Sequence, residues 1–142
     1  MTAASATLSI HEPSTPAAGA VTGAPRALLR FEGLAALAMA LLLFERLGGS
    51  WVLFSVLFLT PDLSMLGYLA GRHVGAFAYN GVHSYVGAAM LGAFGLFASA
   101  PLAVQLALIW AAHIGFDRAL GFGLKYASGF GDTHLGRGGK PR

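Results

Sequence analysis

The feature that most constrains the fold is a long apolar run, starting at Leu102, that carries two ionisable residues near its end. Apolar runs of this length are typical of membrane-spanning helices. His113 and Asp117 are four residues apart, so one helical turn places both side chains on the same face. Ionisable groups inside a membrane span are costly and usually functional. The run therefore predicts a membrane helix whose His–Asp pair binds one metal ion or shares one proton.

The composition agrees with a membrane protein. Of the 142 residues, 56% are hydrophobic and 11% are charged, whereas soluble domains carry about 25% charged residues. The mean hydropathy is +0.66. The chain has no cysteine, which excludes disulfides and thiolate zinc sites. No basic stripe is present, so nucleic acid is not an expected partner. The expected partner is the lipid bilayer, and the sequence does not fix the oligomeric state.

The pattern of hydropathy divides the chain into three parts. Residues 1–26 are predicted to be a disordered tail, and residues 128–142 a polar, glycine-rich tail. Residues 27–127 are predicted to form an all-α, four-helix transmembrane bundle. The predicted spans run from about Leu28 to Leu47, Trp51 to Ala70, Val74 to Ser99 and Leu102 to Gly123. Pro61 removes a backbone donor inside the second span, so we predict that the second helix is kinked.

Polar residues occur in three of these spans at a similar depth. At a rise of ~1.5 Å per residue, they lie roughly 9 to 15 Å from the same membrane surface. This agreement predicts one metal site with four ligands: Asp62, His83, His113 and Asp117. Two imidazoles and two carboxylates suit a borderline divalent ion such as Zn or Mn.

Four further polar residues are predicted to support this site: Asn80, Glu32, Asp132 and His134. Asn80 lies three residues before His83 and is expected to orient a ligand. Glu32 has an equally good explanation in its place near a helix N-terminus, where a negative charge is favourable. For Asp132 and His134, the sequence leaves open a supporting role and a place in a solvated tail.

The basic residues are distributed unevenly across the predicted bundle. Eight of the nine lie on the side of both termini, and only Arg46 lies on the opposite side. Because cytoplasmic loops carry an excess of Lys and Arg, both termini are predicted to be cytoplasmic. The protein is then an integral protein of the cell inner membrane, and the site opens toward the cytoplasm or the inner leaflet.

Four segments, in this order, resemble a known family: PDLSMLGYLAG, YNGVHSY, AHIGFDRALGFGLKY and FGDTHLG. They closely resemble the small bacterial membrane family called domain of unknown function 4260 (DUF4260). The resemblance covers about Phe31 to Gly136. It implies a four-span membrane protein and implies no established activity.

A weaker similarity is to membrane-bound metal-dependent hydrolases, including the inner-membrane family called LexA-binding. The matching positions are Pro61 with Asp62, His83 with Ser84, and His113 with Asp117. Ser64 stands where those proteins have a second Asp, and Asn80 stands near the place of another His. The similarity implies a metal-dependent hydrolase, for which His113 and Asp117 are the candidate catalytic residues. A site facing the inner leaflet suits a lipid-borne or phosphorylated substrate.

Three non-enzymatic interpretations stay open. His83 and His113 could be axial ligands of a heme in a helical bundle. Buried Asp and His side chains could form the relay of a proton- or ion-coupled carrier. The same side chains could also satisfy one another in a structural polar network. A Soret band would identify heme, and elemental analysis of protein purified without chelator would separate a metal site from the other possibilities.

Overall fold

The part of the chain that the computed structural model describes, residues 19–137, is mostly helical. Its elements are α1 (Gly23–Arg46), α2 (Trp51–Leu57), a 3-10 helix (Thr60–Ala70), α3 (Arg72–Val82), α4 (Tyr85–Phe97), α5 (Pro101–Leu120), β1 (Asp132–Thr133) and β2 (Gly136–Arg137). The mostly helical class predicted from the sequence is confirmed. Two of the four predicted spans are not continuous α-helices, and both interruptions help to position the site residues.

Helix α5 is the central helix, because α1 and α4 both pack along it. Glycines let the backbones approach closely. A Cβ added at Gly115 would lie 2.8 Å from the carbonyl oxygen of Gly33, and one added at Gly95 would lie 2.7 Å from the backbone nitrogen of Val104. Small residues at such crossings are typical of helices that pack in membranes. The 3-10 helix packs on α3 and forms the other half of the fold.

The second predicted span changes helix type instead of only bending. Helix α2 ends at Leu57, and Pro61 lies in the first turn of the 3-10 helix. Pro61 has no N–H, so it cannot donate to the carbonyl of Leu57. The hydroxyl of Thr60 donates to this carbonyl instead, at 2.7 Å. The proline thus ends α2, and the chain continues in 3-10 geometry up to Ala70.

The third predicted span, Val74 to Ser99, is not one helix, and this part of the prediction is wrong. Helix α3 ends at Val82 and α4 begins at Tyr85. Side chains of α5 bind the carbonyls exposed at this break: Trp110 Nε1 donates to the Val82 oxygen at 2.6 Å, and Arg118 donates to the His83 oxygen at 3.2 Å. The break is tolerated because these donors replace the missing helical hydrogen bonds.

The predicted polar C-terminal tail folds back onto the helices as far as it is described. Strands β1 and β2 pair antiparallel, and both Thr133 and Leu135 have no exposed surface. The Val21 N–H donates to the carbonyl of His134 at 2.8 Å, so this segment also contacts the chain just before α1. A solvated tail is therefore the wrong description of residues 128–137. Helix α1 begins at Gly23, within the predicted N-terminal tail, and residues 1–18 and 138–142 lie outside the described residues.

Two helical stretches are long and apolar enough to cross a membrane: Gly23–Arg46 and Trp51–Ala70. Only 17% and 6% of their apolar windows are buried, unlike the core helix of a soluble protein. Large apolar side chains elsewhere are also exposed: Leu69 by 88%, Phe77 by 82% and Phe97 by 92%. Exposed apolar surface on this scale marks contact with lipid or with another protein.

Candidate metal centre

Four side chains from three parts of the fold meet at one point. Asp62 lies in the first turn of the 3-10 helix, His83 at the break between α3 and α4, and His113 with Asp117 on α5. One ligand atom from each residue lies within 4.8 Å of the other three. The structure thus brings together the four residues that the sequence predicted as ligands.

The spacing of these atoms is close to that of the ligands of one metal ion. His83 Nε2 lies 3.1 Å from His113 Nε2, 3.4 Å from Asp62 Oδ1 and 3.6 Å from Asp117 Oδ2. His113 Nε2 lies 3.6 Å from Asp62 Oδ1 and 3.9 Å from Asp117 Oδ2. Ligand atoms around a tetrahedral zinc ion, with bonds of about 2.0–2.2 Å, are roughly 3.3–3.6 Å apart. The cluster could therefore hold a single divalent ion after small adjustments of its side chains.

His83 is oriented by the residue one turn before it. Its Nδ1 lies 3.0 Å from the carbonyl oxygen of Tyr79, which can only accept, so the contact assigns the ring proton to Nδ1. The Tyr79 ring stacks on the imidazole, with centroids 3.7 Å apart and planes 10° from parallel. The Nε2 lone pair then points into the cluster, which is the orientation of a metal-binding imidazole.

His113 is enclosed more tightly and is less well paired. Its exposure is 1%, and the ring of Phe58 packs against it edge-on at 5.5 Å. Its Nδ1 is buried and has no hydrogen-bond partner among residues 19–137. Its Nε2 faces that of His83. Two ring nitrogens at this distance can share one proton in a hydrogen bond or bind one cation, so the pair is compatible with a metal centre and with a polar network.

The two carboxylates have different environments. Asp117 Oδ2 accepts a hydrogen bond from the Tyr79 hydroxyl at 3.0 Å, and its side chain is 14% exposed. The Asp62 side chain is 34% exposed. The cluster is therefore closed on the side of Asp117 and most open at Asp62.

The sequence did not identify the residues that hold the cluster in place. Arg118 packs inward, against the break between α3 and α4. Its Nη2 binds the His83 carbonyl, and its Nη1 lies 3.3 Å from both ring nitrogens of His134. Tyr79 and Trp110 also hold the site in place. Their positions in the sequence did not indicate this, because both roles depend on the break between α3 and α4.

Asn80 and Glu32 do not have their predicted roles. Asn80 Nδ2 donates to the Lys125 carbonyl at 2.9 Å, and its Oδ1 accepts from the Lys125 N–H at 2.7 Å. The Asn80 amide thus makes both backbone hydrogen bonds of Lys125, and these bonds connect the C-terminal segment to α3. Glu32 is exposed on α1 and makes no contact with the four ligands in the part of the chain described.

Asp132 belongs to the hairpin rather than to the cluster. It accepts hydrogen bonds from Ser128 Oγ at 2.9 Å and from Arg137 Nε at 3.1 Å. These bonds, led by that from Ser128, lower the pKa of Asp132. The carboxylate is therefore ionised at neutral pH and stabilises the turn between residues 128 and 137.

Lys125 is a buried cation beside the residues that support the cluster, and its position in the sequence did not indicate this burial. Its exposure is 8%, and its Nζ donates to the Phe130 carbonyl at 3.0 Å. The ammonium group also lies over two rings, 4.0 Å from the centroid of Phe130 and 4.8 Å from that of Tyr79. Burial lowers the pKa of Lys125. The cation–π contacts offset part of the cost of burying this charge.

His134 is one contact removed from the cluster and links it to the C-terminal segment. Its Nδ1 accepts from the Leu124 N–H at 2.8 Å, and Arg118 bridges it to the His83 carbonyl. Burial, followed by the nearby positive charge of Arg118, lowers the pKa of His134. The neutral imidazole is therefore the form that fits the folded segment.

The acid sensitivity of this segment can be tested. A lowered pKa in the folded state means that the unfolded chain binds the proton more tightly, so His134 contributes stability above its unfolded pKa of about 6.5, and this is lost as the pH falls. We expect metal-free protein to be proteolysed faster within residues 122–137 at pH 5.5 than at pH 7.5. In the variant His134→Asn, which keeps an acceptor but cannot titrate, the ratio of the two rates should be smaller. Equal ratios in both proteins would contradict this role.

Fold and site together define a mostly helical protein with two candidate membrane-spanning helices and a buried His/Asp cluster that could hold a metal ion. A family model described as Domain of unknown function (DUF4260) matches residues 26–137, more than half of the chain. The chain belongs to this family, which confirms the resemblance stated above. No curated protein and no solved structure matches the chain. The weaker similarity to membrane-bound hydrolases is not shown by these comparisons.

Proposed function

We propose that this chain is an integral membrane protein that binds one divalent metal ion and uses it to hydrolyse a lipid-borne or phosphorylated substrate. The observation that carries the proposal is the convergence of two imidazole nitrogens and two carboxylate oxygens within 4.8 Å of one another. Groups of this kind are rarely gathered inside an apolar helical protein without a function. The proposed ligands are Asp62, His83, His113 and Asp117.

The exposed surface supports the membrane part of the proposal. The apolar windows of the two candidate spans are largely unburied, and α4 and α5 add further exposed apolar side chains. Such a surface is stable in lipid and would promote aggregation in water. The excess of basic residues on the side of the termini favours an inner-membrane orientation with cytoplasmic termini. Helices α3 and α4 have 11 and 13 residues, so each is too short to cross the membrane alone, and the two together form one crossing.

The donor set favours zinc, with manganese as the second choice. Imidazole and carboxylate ligands suit both ions, and the two imidazoles are more typical of zinc than of manganese. A bound divalent ion would supply a nucleophile at neutral pH by lowering the pKa of water. His83 and His113 would hold the ion from the buried side, and the Tyr79 hydroxyl would fix the Asp117 carboxylate. Asp62 is the most exposed of the four ligands, so a coordination position for water would open on its side.

The heme alternative does not suit this geometry. Axial nitrogens on the two sides of a heme iron are about 4 Å apart, twice a metal–nitrogen bond of ~2.0 Å. The two Nε2 atoms are 3.1 Å apart, and two carboxylates lie within reach of the space between them. A macrocycle has no room there. A proton relay or a structural network, in contrast, would use the same contacts without an ion, so metal content distinguishes them from the proposal.

Elemental analysis provides the test. Protein purified without chelator at pH 7.5 is expected to contain about one zinc or manganese ion per chain, because four ligand atoms already converge on one point. Hydrolysis of a phosphorylated lipid substrate in mixed micelles should stop after dialysis against EDTA and return when zinc is added. Protein that contains no divalent metal, and takes up none on dialysis against zinc, would contradict the proposal.

A further inference from the structure

An apolar groove lies between α1 and α4, with α5 as its floor. Its volume is about 660 Å³. Small and apolar side chains of α4 and α5 form most of its walls: Ala88, Gly92, Ala93, Ala107, Leu108 and Ala111. The groove is open along one side, so a flexible chain can enter it from the surrounding lipid. It does not include any of the four cluster residues.

The length of the groove matches one leaflet of a bilayer. On α4 it extends from Tyr85 to Leu96, which is ~17 Å at a rise of ~1.5 Å per residue. Half of a hydrocarbon core of ~30 Å is ~15 Å. An extended acyl chain of a membrane lipid therefore has the right length to fill it. A second cavity of about 280 Å³, lined by Leu47, Ser99 and Pro101, continues the groove past Leu96.

The mouth of the groove carries one positive charge. Arg46, the last residue of α1, lines it. The neighbouring carboxylate of Glu45 accepts a hydrogen bond from Trp51 Nε1 at 2.7 Å, and so is directed toward α2. Among the described residues, Arg46 forms no ion pair or side-chain hydrogen bond. The charge at the mouth is thus available to an anionic group, and Ser99 offers a hydroxyl beside the second cavity.

We propose that this groove binds one acyl chain of an anionic phospholipid, whose net negative head group pairs with Arg46. The apolar walls fit the chain, the length fits one leaflet, and the cation at the mouth selects the negative head group. Val104 at the mouth and Asp117 in the cluster are ~20 Å apart along α5. The head group therefore lies far from the metal centre, and the lipid is a bound structural partner at the opposite membrane surface. This proposal does not depend on hydrolysis.

Lipid retention in purified protein tests the proposal. Protein in mild detergent is incubated with phosphatidylglycerol or with phosphatidylcholine of the same chains, and bound lipid is counted by native mass spectrometry. Wild type should bind phosphatidylglycerol about five-fold more tightly, the factor that one basic residue contributes near an anionic surface. Arg46→Gln should remove this preference. Arg30→Gln is the matched control, since Arg30 lies near the other end of α1 and should leave the preference unchanged.

A second variant tests the position of the chain. Ala93 is exposed to the groove, so Ala93→Phe should fill it and reduce the binding of both lipids without disturbing the α4–α5 contact. Metal content should stay at the wild-type value in every variant. Equal binding of the two lipids by wild type, or unchanged preference in Arg46→Gln, would overturn the proposal. Loss of a dimer in Ala93→Phe with unchanged lipid binding would also overturn it, since the groove would then hold a second copy of the chain.

Discussion

Replacing His113 by alanine is expected to remove most of the bound metal. The ring supplies one of four ligand atoms and is almost fully buried, so no water or neighbouring side chain can take its place. Substitutions that only disturb the surroundings of a metal ligand already cost 10–100-fold in affinity, so the loss should exceed 100-fold. Asp117→Ala should behave in the same way. The double variant should lose little more, because residues that bind one ion act as a unit.

The control for this experiment is His73→Ala. His73 is an exposed histidine in the first turn of α3 and lies outside the cluster, so its removal should leave the metal content unchanged. Metal content measured by elemental analysis, together with thermal unfolding, separates two models. If no metal is bound and the variants of the cluster residues show small, additive losses of stability, the cluster is a structural polar network.

Replacing Arg118 by methionine is expected to produce the largest loss of stability. The guanidinium donates to the His83 carbonyl at the helix break and lies against His134 of the C-terminal segment. Methionine has a similar length but no donor, so a half-buried carbonyl would lose its partner. A hydrogen bond to a charged group contributes about 1.5–3 kcal/mol, and an unpaired buried acceptor costs about 1–3 kcal/mol. We expect the free energy of unfolding to fall by about 3 kcal/mol.

The matched control is Arg30→Met. Arg30 Nε also donates to a backbone carbonyl, that of Ala119 at 2.9 Å, but this bond is exposed. Water can replace an exposed donor, so the loss should be below about 1 kcal/mol. Chemical denaturation in detergent measures both values. If Arg118→Met were no less stable than Arg30→Met, the arginine would not hold the helix break.

The cluster was predictable from the sequence for a simple reason. The depth of a residue in a helix depends on the number of residues between it and the helix end. The change from α to 3-10 geometry near Asp62 alters this depth only slightly. The break beside His83 also alters it only slightly, because the two short helices still cross the same layer. The spacing of His113 and Asp117 within one continuous helix needed no further information.

The supporting contacts were not predictable, because they depend on pairs far apart in the chain. The segment from Tyr79 to Gly87 contains no proline, and its break is stabilised by donors on α5. The C-terminal segment is rich in glycine and polar residues, which favoured a tail. Its burial depends on Leu135, which has no exposed surface, and on the backbone pairing of Asn80 with Lys125. Pairings between residues so far apart cannot be inferred from a local sequence pattern.

The pairing of Asn80 with Lys125 has a consequence for the way the protein is made. All four cluster residues leave the ribosome before residues 124–137, which later tie α3 to the C-terminal segment. During synthesis there is thus an interval in which the complete set of ligands exists in the nascent chain while Asn80 still lacks its partner Lys125 and His134 has not yet emerged. We expect this interval to be the easiest time for an ion to enter. A shortened chain that stops after Gly121 would keep all four ligands and extend that interval indefinitely.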